Sequence, residues 1–183
     1  MGSNHTTRSN LALGLQIVTR GIDRLSLWLG RFCALLMLLM VLAAIAVVAL
    51  RYGLDLGSVA LQETVLYLHG ALFTLGAGFT LKAEGHVRVD IFYRNWGARR
   101  RAWVDLLGTA LLLLPFVGFI GWQCWDYVLT SWARQEGSVE AGGLSLVYLQ
   151  KSLLLGLVLT LGAQALAELA RNLALLLAGG RSS

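Results

Sequence analysis

A run of 19 residues from Phe32 to Leu50 contains no charged or polar side chain, and Arg31 and Arg51 bracket it. A helix needs about 20 apolar residues to cross a hydrocarbon core about 30 Å thick. The whole chain of 183 residues is 57% hydrophobic and only 14% charged, which is far more apolar than an ordinary soluble domain. These features predict an integral membrane protein.

A cleaved signal peptide is the alternative explanation for this run. The apolar part of a signal peptide is about 7 to 15 residues long and lies close to the N-terminus. Here 31 residues precede the run, and the run itself is longer. We therefore interpret it as a retained membrane span.

Hydropathy over a window of about 19 residues indicates four apolar segments. They cover about 32–50, 59–81, 106–128 and 144–167. Lipid offers no hydrogen-bond partners to the backbone, so each segment must be a helix. Strands of a membrane barrel are only about 10 residues long and alternate in polarity, unlike these segments. The predicted fold class is an all-α membrane protein with four transmembrane helices, in a domain covering 32–171.

The basic residues predict the orientation of these helices. Twelve of the 15 lysines and arginines lie in the N-terminal arm, in the loop 82–105 and in the C-terminal tail 172–183 or just before it. The other two loops carry only Arg51 and Arg134. Basic loops stay in the cytoplasm, so both ends of the chain are predicted to be cytoplasmic. Since the basic residues adjoin membrane segments, the net charge of +5 does not indicate nucleic acid.

Two segments have the composition of membrane-surface structure. In 11–31, apolar residues recur every three or four positions beside a row of arginines, which predicts an interfacial amphipathic helix. The preceding tail, 1–10, is predicted to be flexible. The loop 82–105 mixes arginines with tryptophans, which favour the headgroup level and anionic lipid; an ordinary basic loop is the alternative. The residues predicted to contact headgroups are Arg20, Arg24, Arg31, Arg94, Arg99, Arg100 and Arg101.

The sequence contains no motif for catalysis or for a bound cofactor. It lacks the usual metalloprotease, serine-hydrolase and phosphate-loop patterns. Cys33 and Cys124 fall toward opposite faces of the membrane and are not expected to pair. His69 is the one histidine within a span, where a haem would need a facing ligand as well. We predict no enzyme activity, no cofactor and no metal, with His69 at a helix contact.

Three ionisable side chains lie within the spans, near their outer ends. They are Glu63, Asp126 and Lys151. An ionised group near the centre of a membrane helix costs about 2.5–3.5 kcal/mol, so we expect each of them to have a structural or functional role. The lysine stem can reach toward a carboxylate, either Glu63 or Asp126. The set is either a coupling-ion or substrate site, or a structural ion pair. We favour the ion pair because the groups are shallow and nearly balanced, and expect the helices of Glu63 and Lys151 to face a partner.

The second span carries a more specific pattern. Gln62-Glu63 opens it, Leu75-Gly76-Ala77 follows, and Gly85-His86-Val87-Arg88-Val89-Asp90 comes after it. This pattern resembles the small membrane subunit of TRAP (tripartite ATP-independent periplasmic) transporters, the DctQ-type family, over roughly 25–172. The fourth span, with Lys151, Gly156 and the stretch 164–168, resembles the mannitol/chloroaromatic branch that also serves 2-oxo acids, although the prolines common there are absent.

The resemblance implies an accessory subunit, a scaffold and anchor in a bacterial inner membrane. Its partners are a large permease subunit, which holds the substrate and sodium sites, and a periplasmic binding protein that delivers an organic acid. Two alternatives remain: a self-sufficient proton-coupled transporter using Glu63, and a membrane electron-transfer subunit. The residues singled out for packing or partner contact are Gln62, Glu63, His86, Arg88, Asp90, Asp126, Lys151 and Gln164.

Overall fold

The computed structural model describes residues 3–85 and 96–178. This part of the chain forms four long helices and contains no strand. The helices are α1 (Ser3–Gly53), α2 (Val59–Lys82), α3 (Ala98–Ala133) and α4 (Val147–Ala178). Each contains a stretch long and apolar enough to cross a membrane, which confirms the predicted all-α class with four spans.

The helix bounds agree with the sequence prediction most closely at α2. Ser58 caps this helix, because its hydroxyl oxygen accepts a hydrogen bond from the Leu61 amide at 3.3 Å. The other three helices are longer than the apolar segments. Residues 11–31 continue without a break into the first span, and the predicted loop 82–105 is already helical from Ala98. The interfacial position of 11–31 stays a prediction.

A π-helical segment, Thr109–Leu113, interrupts α3 just before Pro115. Proline has no amide hydrogen, and its ring collides with the carbonyl one turn earlier in an α-helix. The wider turn relieves this collision: the Leu114 amide donates to the Thr109 carbonyl, five residues back. The helix therefore passes the proline without ending.

The four helices are arranged around α4. This helix contacts all three others, whereas α1 and α2 pack on each other and α3 packs almost entirely on α4. The connections 54–58 and 134–146 lie at one end of the bundle, which we call the loop end. Lys82 and Arg171 lie at the opposite end, which we call the basic end.

The face of α1 that packs into the bundle is small and polar. Thr19, Ser26 and Cys33, spaced seven residues apart and therefore on one side of the helix, are all buried. Val18 and Leu25, two of the apolar residues that recur every three or four positions in 11–31, are 60% and 57% exposed. Small side chains let membrane helices approach closely. Leu36 is also buried, whereas many other large apolar residues of α1 are exposed.

Helices α2 and α4 approach most closely at Gly78. A Cβ atom at this position would lie 2.6 Å from the carbonyl oxygen of Thr160, so only glycine fits. The Thr160 hydroxyl lies 2.9 Å from the Gly156 carbonyl oxygen of its own helix and 3.3 Å from the Thr74 carbonyl oxygen of α2. The two backbones are therefore in direct contact at this point.

Candidate functional site

The basic end of the bundle contains a polar cluster centred on Asp23. Arg171 donates from Nη1 to both carboxylate oxygens of Asp23, each at 2.9 Å. The side-chain amide of Gln164 donates to the same carboxylate at 3.3 Å and accepts a hydrogen bond from the Ser26 hydroxyl at 2.8 Å. These bonds join the N-terminal part of α1 to the C-terminal part of α4.

One further cation and one further anion complete this cluster. The Lys82 ammonium, at the end of α2, donates to the backbone carbonyl of Asp23 at 2.9 Å. Arg171 also contacts Glu168, one turn earlier on α4, with Nη2 2.7 Å from Oε1. Two carboxylates and two basic side chains therefore balance in charge, and the cluster connects three helices.

Gln164 is the buried centre of the cluster. Its side chain is fully inaccessible, and both its oxygen and its nitrogen have partners. An amide buried without hydrogen bonds costs about 1–3 kcal/mol, so the positions of Ser26 and Asp23 are coupled to that of Gln164. Gln164 was a candidate from the sequence, and the structure gives it partners within the chain.

The loop end contains a second cluster, around Glu63. Its carboxylate accepts hydrogen bonds from the Ser138 hydroxyl and from the Leu144 amide, the latter at 2.6 Å. The Ser138 amide in turn donates to the Leu144 carbonyl at 2.9 Å. A Cβ atom at Gly143 would lie 2.8 Å from Glu63 Oε1. Through these hydrogen bonds, Glu63 holds the connection 134–146 against the start of α2.

Lys151 forms an ion pair with Glu136 at the same end. Its ammonium lies 2.5 Å from Oε2 of Glu136 and 4.0 Å from the ring centroid of Tyr127. The hydrogen bond from Lys151 holds the pKa of the Glu136 carboxyl below its ordinary value. The lysine meets a carboxylate as predicted, but the expected pairing with Glu63 or Asp126 is wrong, because the connection 134–146 brings Glu136 over the lysine.

The other candidates are distributed along the bundle surface. Gln62 is half-buried at the start of α2, and Asp126 is exposed on α3. His69, expected at a helix contact, is exposed on α2. Arg31 lies 5.4 Å from the centroid of the Trp28 ring, and Arg101 donates to the Trp96 carbonyl at 2.9 Å. Among the arginines predicted to contact headgroups, Arg20, Arg24, Arg31, Arg99 and Arg100 are exposed. His86, Arg88, Asp90 and Arg94 lie outside the described residues.

Several residues of the two clusters and of the Lys151 ion pair were not candidates from the sequence: Asp23, Ser26, Lys82, Glu136, Ser138, Glu168 and Arg171. Arg171 follows Glu168 by three positions on a helix, a spacing at which opposite charges meet, and this signal was available. Asp23 is the one acidic residue in a row of arginines and could also have been noticed. Glu136 and Ser138 carried no signal, because they belong to a connection whose path depends on the packed helices.

Within 3–85 and 96–178, no group of three or more His, Cys, Asp and Glu side chains is placed to hold a metal ion. Cys33 and Cys124 are both free thiols. The Cys33 sulfur lies 3.7 Å from the carbonyl oxygen of Leu72, a contact between α1 and α2.

The family model for tripartite ATP-independent periplasmic transporters, DctQ component, matches residues 40–175, which is more than half of the chain. The chain belongs to this family. DctQ proteins are the small membrane components of TRAP transporters and are not enzymes; they work with a large permease and a periplasmic binding protein. No curated protein and no solved structure matches the chain. The matched region contains the cluster around Glu63 but begins after Asp23 and Ser26.

Proposed function

We propose that this DctQ-family chain is the scaffold and membrane anchor of a TRAP transporter that imports an organic acid with sodium across a bacterial inner membrane. In this proposal the large permease subunit moves the substrate, and the periplasmic binding protein delivers it. The small subunit contributes a rigid bundle beside the permease and takes no part in binding the acid or the sodium ions.

The observation that carries the proposal is how the polar groups within the spans are used. Asp23, Gln164 and Arg171 bond to one another at the basic end, and Glu63 holds a connection at the loop end. A transport site needs side chains that release and rebind a ligand, whereas these four side chains are hydrogen-bonded to other residues of the chain. Such bonds fix the positions of the helices, as a scaffold requires.

The exposed arginines support a membrane orientation with both chain ends in the cytoplasm. Arg99 and Arg100 at the basic end are exposed, as are Arg20 and Arg24, and basic side chains here suit the anionic lipid of a cytoplasmic leaflet. The loop end then faces the periplasm. Single cysteines at Val139 and Ala98, in a chain with Cys33 and Cys124 replaced by alanine, test this. An impermeant thiol reagent added to intact cells should label only position 139.

The functional test is reconstitution in proteoliposomes. The chain alone should take up no organic acid, and the chain with its large permease subunit and binding protein should show uptake that depends on a sodium gradient. Uptake by the permease and binding protein without this chain should fall strongly, because the permease lacks its support. Undiminished uptake in its absence would contradict the scaffold role.

The alternative of a self-sufficient proton-coupled transporter is disfavoured by the position of Glu63. Its two carboxylate oxygens accept hydrogen bonds from Ser138 and from the Leu144 amide, so protonation would loosen a connection rather than load a site. Proton flux through vesicles containing only the purified chain, abolished in a Glu63→Gln variant, would establish that alternative instead.

A further inference from the structure

A groove with a volume of about 420 Å³ opens on the surface of the bundle between α2 and α4, near the loop end. Four residues of α2 line one wall; they are spaced three or four positions apart over 64–71 and so share one side of the helix. Three residues of α4, over 149–153, line the other wall, and Leu144 and Leu146 of the connection 134–146 line it as well. We call this feature the α2–α4 groove.

The α2–α4 groove lies at the depth of one lipid leaflet. Helix α2 begins at Val59, where the apolar segment 59–81 also begins, so Thr64 and Ala71 are about 8 and 18 Å along the helix at 1.5 Å per residue. Leu153 is six residues, or about 9 Å, beyond the start of α4 at Val147. Each leaflet supplies about half of a hydrocarbon core about 30 Å thick. The groove therefore extends from near the headgroups into the hydrocarbon of the leaflet at the loop end.

The walls of the α2–α4 groove present carbon to a ligand. Five leucines and Ala71 form most of the lining. The Thr64 hydroxyl donates to the Ala60 carbonyl of its own helix at 2.8 Å. The Tyr67 hydroxyl oxygen is shielded from solvent, so this residue contributes its ring to the wall. A surface of this kind suits a hydrocarbon and offers little to a polar solute.

Gln150 is the polar side chain at the loop end of the groove. It is half-buried, and its amide has no hydrogen-bond partner among the residues described. Gln150 lies three residues, or about 4.5 Å, beyond the start of α4, a depth that suits the ester groups of a phospholipid. The rim beside it is held in place, because the amide of Leu144 donates to Glu63.

We propose that the α2–α4 groove binds one acyl chain of a phospholipid from the leaflet at the loop end, and that the Gln150 amide donates to an ester carbonyl of the same lipid. This inference goes beyond the proposed function, since it assigns a lipid ligand to the bundle itself. Within hydrocarbon, an unfilled groove forfeits van der Waals contacts along its walls. A thin, flexible chain that enters from the surrounding leaflet restores those contacts.

A helix of a partner protein does not fit the groove. A helix is about 10 Å wide with its side chains, so ten residues, about 15 Å long, occupy roughly 1,200 Å³. The groove volume is about 420 Å³. Its floor is closed by contact between the two walls, because a Cβ at Gly70 would lie 3.5 Å from Leu153 Cδ1. An acyl chain needs no such width.

The first test is native mass spectrometry of the purified chain in detergent, titrated with palmitoyl-oleoyl phosphatidylethanolamine. Ala71→Leu fills the groove, and Ala49→Leu, at an exposed alanine of α1, is the matched control. We expect one retained phospholipid on the unmodified chain and on Ala49→Leu, and at least fivefold less on Ala71→Leu. Equal retention in the two variants, or none on the unmodified chain, would overturn the inference.

Gln150→Leu tests the polar contact without filling the groove, and it keeps the inference testable if Ala71→Leu fails to fold. We expect phospholipid retention to fall about threefold. Gln62→Leu, at another half-buried glutamine of the loop end that does not line the groove, should retain the lipid fully. Unchanged retention in Gln150→Leu, or an equal fall in both variants, would contradict the contact.

The last test uses the complex assembled with the large permease subunit. A photoreactive phenylalanine analogue at Leu149, on the wall of the groove, should crosslink to phospholipid. A crosslink to the permease instead would make the groove a subunit contact and refute the lipid site. Lipid retention is measured without transport, so failure of the scaffold role in the uptake assay and failure of this inference are separate results.

Discussion

Arg171 of α4 donates hydrogen bonds from a single guanidinium nitrogen to both carboxylate oxygens of Asp23 in α1, each at 2.9 Å. The two residues are 148 positions apart, so this pair joins the first helix to the last. Gln164 and Lys82 also bond to Asp23, through its carboxylate and its backbone carbonyl. The position of α1 in the bundle therefore depends on Asp23.

Arg171→Met should destabilise the chain by separating α1 from α4. The side chains of Arg171 and Asp23 are 33% and 28% exposed, so we expect a loss of about 1–3 kcal/mol, less than the ~3–5 kcal/mol of a fully buried pair. The measurement is thermal unfolding in detergent. Arg24→Met, which removes an exposed arginine beside Asp23, is the control and should change little. Equal losses in the two variants would show that the pair contributes nothing specific.

Glu63→Gln should loosen the connection 134–146 while leaving the helices intact. A glutamine oxygen accepts only a neutral hydrogen bond, which is weaker than the charge-assisted bond that a carboxylate accepts. We expect hydrogen exchange of the Leu144 amide, which donates to Glu63 at 2.6 Å, to become about tenfold faster. Glu140→Gln, at an exposed position of the same connection, is the control. Unchanged protection of Leu144 would contradict the role given to Glu63.

Gly78→Ala should weaken the contact between α2 and α4. The added Cβ would lie 2.6 Å from the Thr160 carbonyl oxygen, and the backbone must move to relieve it. Overpacking of this kind costs about 1–3 kcal/mol. Gly118→Ala is a matched control, because nothing lies within 4 Å of a Cβ at that helical glycine. Melting temperatures that fall only in Gly78→Ala confirm the close approach, and equal values exclude it.

The Lys151–Glu136 pair predicts a specific dependence of stability on pH. The pKa of Glu136 lies below its ordinary value of 4.5 because Lys151 donates a hydrogen bond to it. Its contribution to stability is therefore fully present above about pH 4.5 and is lost as the pH falls through the lower folded-state pKa. The difference in melting temperature between the unmodified chain and Glu136→Gln should be constant from pH 8 to pH 5 and shrink at lower pH. A difference that grows on acidification would contradict this.

Several parts of the bundle could be predicted from the sequence because they depend on local composition. Helix α2, Val59–Lys82, begins where the apolar segment 59–81 begins and ends one residue later, because hydropathy is a property of the segment itself. The partner of Lys151 could not be predicted, because Glu136 reaches it only through the folded path of the connection 134–146. The packed face of α1 could not be predicted either: the apolar residues that recur in 11–31 include Val18 and Leu25, which are exposed, whereas Thr19, Ser26 and Cys33 are buried.

The sequence by itself determined that the chain is a four-helix membrane protein, because the free energy of transferring apolar residues into lipid depends on each segment alone. It also carried the family pattern in and after the second span. Only the tertiary structure decided which polar groups pair. Asp23 meets Arg171 across 148 positions and Glu63 meets Leu144 across 81. Side-chain hydrogen bonds act over about 3 Å, so these pairs exist only after the helices have packed.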